Sequence, residues 1–292
     1  MRTLSIFEKT NENFVVCLGQ FDGIHIGHRT IIDSAAKLAK ENGCDVALFT
    51  IKKQDNCKSL VLSFDELTFA AEQSGIDSVI YACVEENIYS VTKEEFLRLL
   101  TSNFNIKGLV FGEDYTFGYG AEGNADVLSR YCDEKGIPYV KKPLLYVNGV
   151  KVSSTAIREN LKKGDIAAAN ALLGGKYMMI GEVLSGRHVG VKIGFPTMNI
   201  IPSAQKIEIK DGVYKTTAVV EGKAYIAITS VGAAPTFGYT VKKVETYIPD
   251  FDKQVYGERI IIYFDRFIRE IRRFDSAEQL SEQIKEDLKT YD

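Results

Sequence analysis

No apolar run in the chain approaches 18 residues, which leaves no transmembrane helix, and the first residues lack the apolar core of a secretory signal. Charge of one sign is also missing. The 36 Lys and Arg stand against 39 Asp and Glu, and the net charge of −3 argues against general binding of nucleic acid, although local basic patches stay open. Cysteine is scarce, odd in number at five and never spaced C-x-x-C. Cys17, Cys44 and Cys83 fall in or beside strand-like runs, where a free thiol acts as a small hydrophobe. Histidine is scarcer, with three. Apart from His25 and His28 there is only His188, and no cysteine or carboxylate cluster lies near the pair, so a metal centre there is short of ligands. The expectation is a soluble cytoplasmic protein without membrane or nucleic-acid partners.

What is present suits two domains. A chain of 292 residues is long for one, and a hydrophobic fraction of 45% is ordinary for globular protein. Chemistry concentrates in Cys17-Leu18-Gly19-Gln20-Phe21-Asp22-Gly23-Ile24-His25-Ile26-Gly27-His28, where an apolar strand hands over to a helix closed by Asn42-Gly43. Glycine allows a sharp turn and close approach to a ligand, and a helix N-terminus offers free N–H groups and partial positive charge. Together they make an anion site suited to nucleotide phosphates. His25 and His28 are three apart, so both are expected to point into it from the first helical turn.

The first half alternates strands (Phe14–Leu18, Asp45–Ile51, Ser78–Cys83, Gly108–Phe111, Ile137–Lys141) with helices, two of them announced by the capping boxes Ser63–Glu66 and Thr92–Glu95. Repeated βαβ units predict a mainly parallel, doubly wound sheet with ligands beyond the carboxyl ends of its strands. The loop from Phe111 to Asn124, with Asp114 and Phe117, mixes glycines and aromatics as a loop wrapping a flat ring would, or as an ordered surface loop would. Ser153, Ser154, Thr155 and Arg158 open another helix; they suit a second phosphate cradle, or an ordinary cap with a solvated arginine.

After an alanine-rich helix over Asp165–Leu173 the helical period vanishes near Gly174-Gly175, which places the boundary between residues 1–174 and 175–292. Strands at Val213–Val220, Ala224–Ile228, Val241–Ile248 and Arg259–Phe264, with a hairpin at Glu221-Gly222-Lys223 and one closing helix from Asp275, predict a small antiparallel β-barrel with a C-terminal helix. Lys192-Ile193-Gly194-Phe195-Pro196-Thr197-Met198-Asn199 should be a fixed turn; the oxygens of Thr197 and Asn199 suit Mg²⁺ and Lys192 suits phosphate. Glu245 by itself reads as a solvent-facing strand residue.

Taken together these motifs resemble the bifunctional bacterial FAD synthetases, in which an FMN adenylyltransferase of the nucleotidyltransferase class precedes a riboflavin kinase. Gly19 through His28 (with Phe21, Asp22, Gly23 and Gly27) is similar to the family's first signature, and Ser153, Ser154, Thr155 and Arg158 to its second phosphate motif. Gly194-Phe195-Pro196-Thr197 with Asn199, Asp211–Tyr214, Pro235-Thr236-Phe237, Glu245-Thr246, Tyr256-Gly257 and Arg269–Phe274 are similar to the kinase module, in the family's order. The resemblance implies ATP, riboflavin and FMN as substrates and Mg²⁺ as cofactor. It implies Glu245 as base in the kinase, with Thr197 and Asn199 on the metal. Lys192, Gly194 and Pro196 fall on nucleotide, and His25 and His28 on the α-phosphate during adenylyl transfer. Asp114, Phe117, Asn124 and Arg269 are the flavin-binding candidates.

Some positions depart from that pattern. Gln20 stands for Asn, Ala121 for a frequent Arg and Ser230 for a frequent Asn, and Ile51-Lys52-Lys53-Gln54-Asp55-Asn56 replaces a Phe-x-Pro-His-Pro run beside the flavin. A flexible, polar wall there is expected to cover the ring poorly. An enzyme with one working module, or a non-catalytic flavin- or nucleotide-binding regulator, fits the same motifs; Glu245, which simple binding does not require, favours catalysis.

Overall fold

Phe14 through Leu18 are at most 1% exposed, so this strand is covered on both faces and has to lie inside a sheet sandwiched by helices. The computed structural model describes residues 1–54, 59–185, 195–233, 242–274 and 276–289, in two units, Met1–Ser154 and Thr155–Asp292. In the first, β1 (Arg2–Ser5), β2 (Asn13–Leu18), α1 (Ile26–Asn42), β3 (Asp45–Lys52), α2 (Phe64–Gln73), β4 (Ser78–Cys83), α3 (Lys93–Asn103), β5 (Asn105–Gly112), the short strands β6 (Thr116–Phe117) and β7 (Gly123–Asn124), α4 (Ala125–Lys135) and β8 (Tyr139–Lys142) follow in order. The sheet order is β1-β4-β3-β2-β5-β8, with every pairing parallel. The chain leaves β2 for β3 on one side and returns to β5 on the other, so the switch in strand order lies at the carboxyl end of β2. A hairpin of β9 (Tyr146–Val147) and β10 (Val150–Lys151) ends the unit before Ser154.

Local signals place these elements. Ser63 accepts the N–H of Glu66 and Glu66 returns a bond to Ser63 N, completing the capping box that starts α2. At α3 only half the box forms, because Thr92 caps while Glu95 turns to Arg98. The edge strand β1 escaped the sequence reading: it is four residues long, with Arg2 and Thr3 exposed.

The second unit holds the rest of α5 (Ser154–Lys163), then α6 (Ile166–Leu173), β11 (Tyr177–Glu182), β12 (Thr197–Ile200), β13 (Gly212–Val220), β14 (Lys223–Ala233), β15 (Lys242–Tyr247), β16 (Arg259–Arg269) and α7 (Ala277–Lys289). The antiparallel order is β11-β16-β13-β14-β15-β12, and a bridge from Leu184 to Asn199 brings the two ends of the sheet together. Glu221 and Gly222 have φ of 49° and 76°, the two left-handed residues that a tight hairpin needs. Asp275 lies outside the described residues; Ser276 accepts the N–H of Gln279 at the start of α7. No helix among the described residues is long and apolar enough to cross a membrane.

Helix α6 belongs structurally to the strands that follow it. Ile166, Ala169, Leu172 and Leu173 are buried, and Asn170 donates to the carbonyl of Phe264 (2.8 Å) while accepting the N–H of Tyr177 (2.7 Å). A fragment beginning at Gly175 loses these contacts and should melt about 10 °C or more below one beginning at Thr155. Thermal denaturation of the two fragments checks this; equal melting temperatures would show α6 to be dispensable.

Candidate active site

The turn after β2 is strained. Phe21, Gly23 and Ile24 have φ of 50°, 104° and 41°, left-handed three times in four residues, and Ile24 is β-branched. Buried Asp22 holds the turn closed: its Oδ1 accepts the N–H groups of Val61 (2.7 Å) and Leu62 (3.1 Å), and its carbonyl accepts the Ser154 hydroxyl (2.6 Å). Thr50 donates to the carbonyl of Gln20 at 2.8 Å. The buried Phe21 ring lies over Gly19, where a Cβ would stand 2.9 Å from it, so residue 19 has to be glycine.

This turn delivers both histidines. His25 precedes α1 as its cap rather than sitting in the first turn, and its Nδ1 accepts the N–H of His28 at 3.2 Å. An accepting Nδ1 places the proton on Nε2, so His25 can donate from Nε2 to a ligand. The two rings stack 3.6 Å apart at 12°, and Phe21 tilts against His28 at 4.7 Å. Burial pushes His25 down to about 4, and burial followed by the neighbouring His25 holds His28 well below the usual imidazole range. Both are neutral at pH 7, and His28 Nδ1 is buried without a partner.

Beside the turn opens a cavity of about 300 Å³, lined by Gly19, Gln20, Phe49, Ile51, Ile88, Tyr89, Val91, Phe96 and the strip Tyr115–Gly118 with Gly120 and Ala121. Phe117 stacks on Tyr115 at 5.8 Å and meets Phe96 at 5.3 Å. Gly118, at φ 78°, passes so close to α3 that a Cβ would stand 2.7 Å from Lys93 N. Asp114 and Asn124 are spent locally: Asp114 pairs with Lys151 (2.8 Å) and Asn124 caps α4. Of the wall expected to be polar and flexible, Ile51 alone among the described residues lines the cavity and the two lysines rest on aromatic rings, while Gln54 is exposed. Lys52 lies over Phe64 and Tyr81, and Lys53 lies over Tyr89 and bonds its hydroxyl. Ile88, Tyr89 and Val91, between β4 and α3, supply the apolar cover; the sequence marks them only as an apolar pair around an aromatic.

The second phosphate motif straddles the division, with Ser153 and Ser154 in the first unit and Thr155 and Arg158 in the second, where Arg158 donates to Thr155 Oγ1 at 3.0 Å. In the barrel, Glu245 is exposed and directly opposite Asn199 on one side and Ser230 on the other, three polar residues abreast on β12, β15 and β14. Thr197 and Asn199 lie within a strand, not in a turn; only Phe195 and Pro196 precede it, where proline needs no ladder N–H. Asn199 donates to the Thr197 carbonyl at 3.4 Å, which leaves its amide oxygen for a cation. Lys192, Gly194, His188 and Pro235-Thr236-Phe237 lie outside the described residues. Arg269 is engaged elsewhere, by a bidentate bond to buried Asp287 of α7 (2.7–3.0 Å). Among the described residues no group of three or more His, Cys, Asp or Glu could hold a metal.

Residues 7–156 match the FAD synthetase family and residues 173–292 the riboflavin kinase family. A bifunctional riboflavin kinase/FMN adenylyltransferase of Bacillus subtilis is 32% identical over 94% of this chain and 90% of its own length. Its namesake in Escherichia coli is 27% identical over 97% and 93%. A crystal structure described as a macrolide-efflux protein from Streptococcus pneumoniae superposes with a TM-score of 0.86 at 29% identity, covering 99% of this chain and 98% of that one.

The depressed titration of His25 ties stability to pH. The unfolded chain takes up a proton near 6.5 and the folded one only near 4, so the stability present above pH 6.5 is lost as the pH falls through this interval. At about 1.4 kcal/mol per unit the loss approaches ~3 kcal/mol. Denaturant titration at pH 7.5 and 4.5 should show at least this loss, and His25→Asn, which keeps a capping side chain, should remove the His25 share and leave that of buried His28. A wild-type stability flat across this interval would contradict a buried, neutral His25.

Proposed function

This chain belongs to the bifunctional FAD synthetases, and we propose a division of labour among its residues on that basis. The enzyme phosphorylates riboflavin to FMN with ATP and joins FMN to the adenylyl group of a second ATP, releasing pyrophosphate. The functional division is set at Gly174–Gly175. The likeness to the macrolide-efflux protein is read as one of fold.

In adenylyl transfer an oxygen of the FMN phosphate attacks the α-phosphate of ATP and pyrophosphate leaves. The cavity of about 300 Å³ supplies aromatic walls for the flavin, Phe117 and Tyr89 among them. The start of α1 supplies free N–H groups, and neutral His25 and His28 donate to charge building on the α-phosphate without first shedding a proton to solvent. Gly19, Gly23 and Gly27 keep the backbone close to the phosphates, while Ser153 and Ser154 lie on the triphosphate side. The observation that carries this reading is the stacked histidine pair in the same turn whose Gly19 and Gln20 line an aromatic cavity.

In the kinase, Glu245 takes the proton of the riboflavin 5′-hydroxyl as it attacks the γ-phosphate, and ADP leaves. Thr197 and Asn199, hard oxygen donors on the face that carries Glu245, fit Mg²⁺, which binds with phosphate oxygens and few protein ligands. When bound, the ion neutralises phosphate charge during transfer. Lys192, Gly194 and Pro196 are kept as the nucleotide side of this site. Free thiols at Cys17, Cys44, Cys83 and Cys132 support a cytoplasmic location.

Incubation with riboflavin, Mg²⁺ and ATP, followed by separation of FMN from FAD, tests both halves. His28→Ala should cut FAD formation from supplied FMN by roughly 10²-fold or more and spare FMN formation. Glu245→Gln should do the reverse. Equal loss of both activities in each folded variant would show the assignment to be wrong.

A further inference from the structure

Three threonines cross the interior of the barrel. Thr216 on β13, Thr229 on β14 and Thr246 on β15 are each fully buried. Thr216 Oγ1 lies 2.8 Å from Thr229 Oγ1, which lies 3.0 Å from Thr246 Oγ1, and Thr216 donates to the carbonyl of Ala227 at 3.0 Å. A hydroxyl has one proton to give. With the Thr216 proton on Ala227, Thr229 donates to Thr216, and Thr246 donates to Thr229, so the chain runs in one direction.

We propose that this hydroxyl chain is the register lock of the kinase site, and that Thr229 and Thr246 are positioning residues for Glu245. Thr229 and Thr246 face each other inside the barrel, and the next pair along, Ser230 and Glu245, face each other outside. A slip of one residue would turn Glu245 inward and Thr246 out. A slip of two would keep the faces but set Glu245 against Gly232 or Ile228, and Thr246 against Val231 or Ala227. Thr246 would then have lost its hydroxyl partner in a dry interior, a costly arrangement. The hydroxyls therefore select the one register in which Glu245 stands beside Ser230. The inference rests on Glu245 as the kinase base.

The test uses the full chain. Thr229→Val keeps the shape and removes the hydroxyl; it should lower kcat for FMN formation roughly 10-fold or more while the KM for ATP changes less than about twofold. Thr229→Ser restores the hydroxyl and should bring kcat back to within about twofold of wild type, a rescue that a packing role alone would not give. Adenylylation of supplied FMN is the internal control and should be unchanged in both. If Thr229→Val does not fold, Thr216→Val, one strand further from Glu245, makes the same comparison with a smaller fall. A folded Thr229→Val with wild-type kcat overturns the lock, as does an equal loss in the serine variant. Glu245→Gln separates the premises: if it retains kinase turnover, the base assignment fails and the lock with it. If it is inactive while Thr229→Val is normal, the lock alone fails.

Discussion

A turn that is left-handed at three of four residues cannot hold itself, and the adenylyltransferase site depends on what holds it. Each non-glycine residue in that region costs about 1–3 kcal/mol. Asp22 offsets the strain with two charge-assisted bonds to the amides of Val61 and Leu62. The same residue receives Ser154 at its carbonyl, so one buried aspartate ties the end of β2 to the entry of α2 and to the second phosphate motif. His25 becomes a helix cap, and His28 stacks on it, only because that tie places the chain. Preorganisation of this kind lets the donors act without rearranging as charge develops.

The two sites solve the same electrostatic problem differently. The first hides neutral imidazoles beside an aromatic cavity and borrows the field of a helix start. The second presents a carboxylate and oxygen donors on an exposed strand face, with no buried imidazole beside them among the described residues. The first therefore depends on burial, the second on register.

Local rules made much of this legible. The strand-to-helix signature, the Ser63 box, the Glu221-Gly222 hairpin and the alternation that turns Glu245 outward from Val244 and Thr246 act over a few residues and fold as read. What escaped depends on partners far along the chain. Asp22 reads as a phosphate neighbour until Val61 and Leu62, about forty residues away, arrive at its carboxylate. Arg269 reads as a flavin ligand until α7 brings Asp287 to it. The cavity wall at Ile88, Tyr89 and Val91 belongs to no motif, because an apolar lining looks the same in sequence as any core segment. The aromatic faces under Lys52 and Lys53 were not legible because a charged side chain's resting place is set by the fold.

Among the described residues the seam of the barrel is a single bridge, Leu184 to Asn199, with the Leu184 N–H donating to the Asn199 carbonyl at 2.8 Å. Asn199 is thus both the ladder partner of Glu245 and the clasp of the ring. Opening that bond would widen the circumference beside Glu245, before any strand unpairs. Solvent exchange of the Leu184 amide becomes a gauge of ring closure. The state of the ring next to Glu245 would thus be read from one backbone proton.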